Sequence, residues 1–490
     1  MQIMIKFENS FHKLNSDFYE NVIPSKPPKP ELISFNKSLS NLLGIKISWM
    51  KSIEGLECFT GKQVIKNSNP LAMVYAGHQF GNWVPRLGDG RAILLGEILD
   101  QKKERWDIQL KGSGLTPFSR NGDGKAALGP ILREYLMSEA MHQLGIPTTL
   151  ALFIAKTGDN VYREKVFPGA IITRVAKSHI RVGTFQYFAS LGKYNLVKEL
   201  MDYVIKRNFP EITTNQNKYL SFLKFVIDAQ AKLISKWMSV GFIHGVMNTD
   251  NCSIVGDTID YGPCAFMDKY NENTVFSSID TFGRYSYKNQ PLICQWNLAQ
   301  LANCILPFLS DEKEKSIKIA QNEIDKYSEV YHNYFSKEIF KKLGFSCKIE
   351  DDNKLKDELF DIMKRDELDF TISFSNLYFE LLNINNDLSE FTSKSRDFTK
   401  WISKWKLRLK KEKKSVNQIA ENLKQSNPII IPRNHLVEEA INFALENDNF
   451  SKYFNLLKLI SDPFKYKEKY VNYYKPPDVL DENFKTFCGT

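Results

Sequence analysis

The chain has 490 residues, of which 43% are hydrophobic and 25% charged, with a formal net charge of +9. That length suits one large catalytic domain with additions, or two to three domains, and the composition excludes global disorder. The basic surplus, spread over so long a chain, reads as a solvated surface; no basic stretch sits in a nucleic-acid motif, so no nucleic-acid partner is expected.

Residues 1–70 read as a mixed N-terminal extension that packs on the core, with an extended proline-rich connector, PSKPPKPEL, at 24–32. Residues 71–190 are rich in glycine and in short strand-like runs: RAILLGEIL (91–99), WDIQLKG (106–112) and GAIITRVA (169–176). Between them the spacing predicts a helix. Pro130 suits its first turn, Leu132, Leu136, Met137, Ala140, Met141 and Leu144 recur at helical intervals, and Gly145 with Pro147 closes it. A second long helix is expected over about 218–240, ended by Gly241. From 301 to 490 the chain is Lys/Glu/Asn-rich and mostly helical, and its cationic stretch KLRLKKEKK (406–414) reads as a solvated helix face. The fold class is α+β with a large helical C-terminal half.

Seven cysteines (Cys58, Cys252, Cys264, Cys294, Cys304, Cys347 and Cys488) show no CxxC pair and no zinc spacing, the pattern of a reducing compartment. The N-terminus lacks a basic segment followed by an apolar one, and the apolar stretch at 292–309 is broken by Gln295, Asn297, Gln300 and Asn303. A cytoplasmic protein with no membrane partner is expected.

Four constellations carry chemistry. In RLGDGRAILLGEI (86–98), Gly88 and Gly90 before a strand suit either a phosphate cradle or a tight turn. Lys111 ends an alternating strand and precedes a long glycine-rich loop holding Asp123 and Gly124; it suits a phosphate point charge or an exposed strand lysine. Glu134, beside the apolar stripe of the first helix, suits a lysine-positioning partner or a surface acid paired with Arg133. Arg174 and Arg181 bracket TRVAKSHIR, and two arginines can grip a triphosphate.

The fourth is GFIHGVMNTDNCSIVGDTIDYGP (241–263). Two short runs, Ser253–Val255 and Thr258–Asp260, flank Gly256-Asp257, which predicts a hairpin pairing Ser253 with Asp260, Ile254 with Ile259 and Val255 with Thr258. That register would bring Asn251 diagonally near Asp260, an amide and a carboxylate suited to Mg²⁺ or Mn²⁺ with ATP phosphates completing the shell. Asp250 beside them suits a base. The order lysine, helix glutamate, acid, Asn, acid parallels a protein kinase, without an HRD triplet and with Asp260-Tyr261-Gly262 in place of DFG.

The blocks YAGHQFGNWVPRLGDGRA, IQLKGSGLTPFSRNGDGKAAL, LREYLMSEAM, ITRVAKSHIRVGTFQ and FIHGVMNTDNCSIVGDTIDYGP closely resemble the selenoprotein O family of protein adenylyltransferase pseudokinases, densely over 70–300 and more thinly to KPPD at 475–478. The resemblance implies a protein-kinase-like bilobal fold: an N-lobe-like, nucleotide-binding part at 71–190, a C-lobe-like catalytic part at 191–300, and a helical part at 301–490 with a cysteine-containing tail. It implies ATP bound in a flipped orientation and transfer of AMP to Ser, Thr or Tyr hydroxyls of proteins, self-modification included. Carried onto this chain, Gly88, Gly90, Arg91, Lys111, Asp123, Gly124, Arg174, Arg181 and Asp260 match nucleotide-binding positions. Glu134 matches the lysine partner, Asp250 the proton acceptor, and Asn251 and Asp260 the metal ligands. The family includes members with a disulfide between a C-terminal cysteine and one near the metal loop; here Cys488 stands in the tail, the matching second position holds no cysteine, and Cys264 is the nearby alternative.

Overall fold

The computed structural model describes residues 5–478 and 484–486. Its centre is an eight-stranded sheet. In chain order the strands of the β-rich part are β1 (Tyr19–Asn21), β2 (Glu31–Phe35), β3 (Leu71–Met73), β4 (Gly77–Gln79), β5 (Asn82–Val84), β6 (Ala92–Leu99), β7 (Arg105–Lys111), β8 (Ala126–Ala127), β9 (Leu150–Tyr162) and β10 (Val166–Ala176). The large sheet runs β1-β3-β6-β7-β10-β9-β2, with β8 beside β10; β4 and β5 form a separate small hairpin. Neighbouring strands are antiparallel throughout.

The sheet is covered on both faces, which is why its central strands are buried along most of their length, polar residues such as Asp107, Gln109 and Arg174 included. Helices α1 (Lys37–Leu42), α2 (Ile47–Met50) and α3 (Ile53–Phe59) supply Leu39, Trp49, Met50 and Phe59 to a cluster with Ile108, Leu110, Ile171 and Val175. The other face carries α4 (Leu128–Gln143), whose Leu132, Leu136 and Met137 pack with Leu94, Ile154 and Ile172. Strand periodicity then decides the chemistry. Ile108 and Leu110 of β7 turn away from α4, so Gln109 and Lys111 turn towards it. The register sets Ile172 opposite Lys111 and Arg174 opposite Gln109, which places Arg174 on the same face.

Beyond the sheet come α5 (Val182–Ser190), α6 (Tyr194–Asn208), α7 (Lys218–Ser239) and α8 (Gln290–Ile305), followed by helices through Ile460. The two helices expected from spacing are present as α4 and α7. Among the described residues no helix is long and apolar enough to cross a membrane. The cationic stretch at 406–414 is less solvated than its charges suggest. Arg408 turns inward to Asp352, Glu412 and the carbonyl of Cys347, and Glu412 is also buried.

The hairpin expected at 253–260 does not form. Ser253 instead bridges Arg181, and Thr258 bridges Thr148. The backbone groups that would pair the two runs are taken by neighbours: Gln230 donates to the Ser253 carbonyl, and the Thr258 amide donates to Pro147 O at 2.9 Å. Asp260 also adopts a left-handed backbone, φ 59°, which no extended strand tolerates. The pairing occurs further out, between β11 (Phe242–Ile243) and β12 (Ala265–Phe266), so the segment is a long loop cinched at its base.

Asp257, in that loop, is half-buried, and burial pushes its carboxyl up to about 7, partly offset by Lys177. A carboxyl raised on folding stabilises the fold at low pH and forfeits that stability as pH climbs through its folded value. Asp257→Asn should therefore raise the melting temperature more at pH 8 than at pH 5; an equal gain at both would show that ionisation is not the cause.

Candidate active site

One chain of buried charges links the sheet, α4 and the loop. Lys111 Nζ meets Glu134 Oε2 at 2.5 Å; the other oxygen of Glu134 accepts from Arg174 Nε. Arg174 Nη1 reaches Asp260 Oδ1 at 2.9 Å, and Arg181 Nη1 reaches Asp260 Oδ2 at 2.7 Å. Glu134 is interior because α4 is buried on nearly every face. Arg133, the alternative surface partner, is turned away to Glu438 and to the carbonyl of Cys264. Burial pulls the Lys111 ammonium down to about 8 against the pull of Glu134. Burial raises the Asp260 carboxyl, but Arg181, Arg174 and Lys111 more than reverse this and hold it far below the usual carboxylate range. Three cations around two acids leave a surplus of positive charge, which an anionic ligand would neutralise.

These groups face a cavity of about 700 Å³. It is also lined by Asp250 and Asn251 of the turn Thr249–Asn251, together with Tyr75 and Gln79. Asp250 is 7% exposed, and its Oδ1 is buried without a hydrogen-bond partner. Burial pushes its carboxyl up to about 6. A carboxyl whose proton affinity is raised in this way suits proton acceptance near neutral pH. Asn251 Nδ2 donates to Val246 O at 3.0 Å, which leaves its amide oxygen for a ligand. Asn251 and Asp260 therefore offer hard oxygens on one cavity, and they fit a divalent cation whose remaining ligands come from a nucleotide. Among the described residues no three His, Cys, Asp or Glu side chains cluster as a self-sufficient metal site.

Small residues allow these close approaches. A Cβ on Gly77 would stand 2.9 Å from Asp250 Cβ and Cγ. Gly88, φ 99°, and Gly90 both lie against Phe118 of the loop 113–125, where a Cβ on Gly90 would stand 2.8 Å from Phe118 O. The glycines thus let one loop seat on another as well as exposing backbone to the cavity. Asp89 between them is buried and ties the loop down through Met73 N (3.1 Å) and Gln109 Nε2 (3.2 Å). Asp123 is clamped by both terminal nitrogens of Arg163, 2.9 Å each, and the Gly124 carbonyl accepts from Gly114 N at 3.0 Å.

Every residue singled out from sequence except Glu134 lines this one cavity: Gly88, Gly90, Arg91, Lys111, Asp123, Gly124, Arg174, Arg181, Asp250, Asn251 and Asp260. Glu134 lies behind Lys111. Sequence reasoning missed Tyr75, Gln79, Asp89, Phe118 and Arg163. Tyr75 lies under the Arg181 guanidinium at 4.5 Å. Tyr75 and Gln79 stand in the quoted block YAGHQFGNW, but their spacing carries no chemical signature. Cys264 is buried, and Cys488 falls outside the described residues.

A cavity lined by a lysine, arginines, a buried carboxylate and oxygen donors has the chemistry to take a polyphosphate-bearing ligand. The family model described as protein adenylyltransferase SelO matches residues 1–461, and the chain belongs to that family. It is 48% identical over 483 residues to a protein nucleotidyltransferase YdiU of Bacillus cereus strain G9842, covering 99% of this chain and 98% of that one. A protein of the same name from Rhodopseudomonas palustris CGA009 is 45% identical over 487 residues, covering 99% of each.

Removing Glu134 would leave Lys111 and Arg174 facing each other without their shared counter-charge. Breaking a buried pair from one side costs about 3–5 kcal/mol, so Glu134→Ala should lower stability in chemical denaturation by about that amount and weaken ATP binding in calorimetry. Unchanged ATP affinity would separate the pair from nucleotide binding.

Proposed function

We propose that this chain transfers AMP from ATP to Ser, Thr or Tyr hydroxyls of proteins, itself included, in a reaction that requires Mg²⁺ or Mn²⁺. The observation that carries this reading is the convergence of Asp250, Lys111, Arg174 and Arg181 on one cavity. The names of its relatives support the same reaction class.

In the reading, the acceptor hydroxyl lies against the Asp250 carboxylate. Its oxygen bonds to the α-phosphorus as the bond from that phosphorus to the β-bridging oxygen breaks. Pyrophosphate leaves, and the hydroxyl proton passes to Asp250. Lys111 and the arginines bind the phosphates and offset the leaving charge. Gly88, Gly90, Arg91, Asp123 and Gly124 bound the rest of the nucleotide, and Glu134 holds Lys111 forward. Asn251 and Asp260 would hold the divalent ion, which supplies charge neutralisation at the phosphates.

The Lys111–Glu134 pair is shared with protein kinases. On this reading the fold is kinase-like and bilobal, with 71–190 as the nucleotide-binding lobe, 191–300 as the catalytic part, and 1–70 and 301–490 as additions. The protein would work in the cytoplasm. The pair also favours a competing reading, transfer of the γ-phosphoryl group. ATP labelled at the α or γ phosphate decides between them: AMP transfer leaves α label on protein and releases γ label, and retention of γ label alone would sink the proposal. Asp250→Ala should slow transfer by about 100-fold or more while ATP still binds. Asp260→Ala should abolish metal-dependent transfer, and full activity in that variant would remove Asp260 from the metal site.

A further inference from the structure

The loop 277–285 adjoins the cavity and carries two apolar side chains in water. Ile279 lines the cavity yet is 61% exposed, and Phe282, three residues on, is 97% exposed. Phe80 and Val246 line the cavity as well.

Isolated apolar residues are ordinary on a surface. These two differ because the loop that bears them is tightly held. Asp280, between them and buried, accepts from the backbone amides of Arg284 at 2.9 Å and Tyr285 at 2.8 Å. Ser277, at the start of the loop, bridges Thr486. At its end the Tyr285 hydroxyl donates to Asn248 Oδ1 at 2.7 Å and accepts from Phe80 N at 3.1 Å, and the rings of Phe80 and Tyr285 lie 5.0 Å apart. Asn248 stands two residues before Asp250, and Phe80 follows β4. The loop is therefore pinned to the turn that brings Asp250 to the cavity. Pinning keeps Ile279 and Phe282 in solvent, where their apolar surface is unfavourable until a partner covers it.

We propose that Ile279 and Phe282 form a docking surface for the acceptor protein, one that takes a bulky apolar side chain within a few residues of the modified hydroxyl. A polypeptide whose hydroxyl enters this cavity meets the loop that lines it. Covering the two side chains would hold the segment in place and select acceptors by their apolar neighbours. The inference rests on the reading of this cavity as the place where AMP passes to protein, and it is independent of which group takes the proton.

The test uses α-labelled ATP and two sets of synthetic peptides. Each peptide has one central Ser, Thr or Tyr, flanked by Leu and Phe in one set and by Gly and Gln in the other. The unaltered protein should label the Leu/Phe set with kcat/KM about tenfold higher, the difference lying in KM for the peptide. Ile279→Ser combined with Phe282→Ser should erase that preference and leave KM for ATP as it was. Both side chains are exposed, so the substitutions spare the core. Equal labelling of the two sets, self-labelling without any peptide labelling, or a preference that survives in the double variant would overturn the inference. So would a raised KM for ATP, which would place Ile279 on the nucleotide. Absence of α label from every peptide and from the protein itself would instead remove the transfer reading, and the inference with it, a separately visible failure.

Discussion

The site depends on one carboxylate held between two arginines. Asp260 accepts from Arg174 and Arg181, Arg174 shares Glu134 with Lys111, and all five groups are wholly or largely out of water. Charges withdrawn from solvent are tolerated only when each meets an opposite partner in good geometry. Here the partners come from a strand end, a neighbouring strand, a helix, a helix N-terminus and a loop, so satisfying the charges fixes how those elements meet. This buried cluster carries three cations to two acids, and the excess faces the cavity.

That excess explains the division of labour in the cavity. One wall is cationic and attracts phosphate. The other holds Asp250, which burial makes a stronger proton acceptor than an ordinary aspartate. Arg181 is the point of contact between the two walls, since it reaches both Asp260 and the main chain of Asp250.

Much of this was legible in the sequence because local rules governed it. Period-2 alternation in WDIQLK put Lys111 on the face opposite Ile108 and Leu110, and helical spacing placed Glu134 on the next element. The resemblance then supplied the partners that distance in sequence conceals. What failed was the hairpin at 253–260. Its turn chemistry was sound, but Gln230 and Pro147, remote in sequence, claimed the backbone groups it needed. Glu134 read as half-buried because only the sheet-facing stripe was visible; packing of α4 against C-terminal helices, such as Tyr453 on the Leu132 carbonyl, buried the remainder. Asp89 and Phe118 were opaque for a similar reason: their work is to seat one glycine-rich loop on another.

The account's central claim is the direction in which the nucleotide lies between these walls. A crystal structure with a non-hydrolysable ATP analogue and Mn²⁺ tests it most directly. The account predicts the ion on Asn251 and Asp260, the terminal phosphates against Lys111 and the arginines, and the α-phosphate nearest Asp250. A γ-phosphate presented to Asp250, with the α-phosphate remote from it, would contradict it.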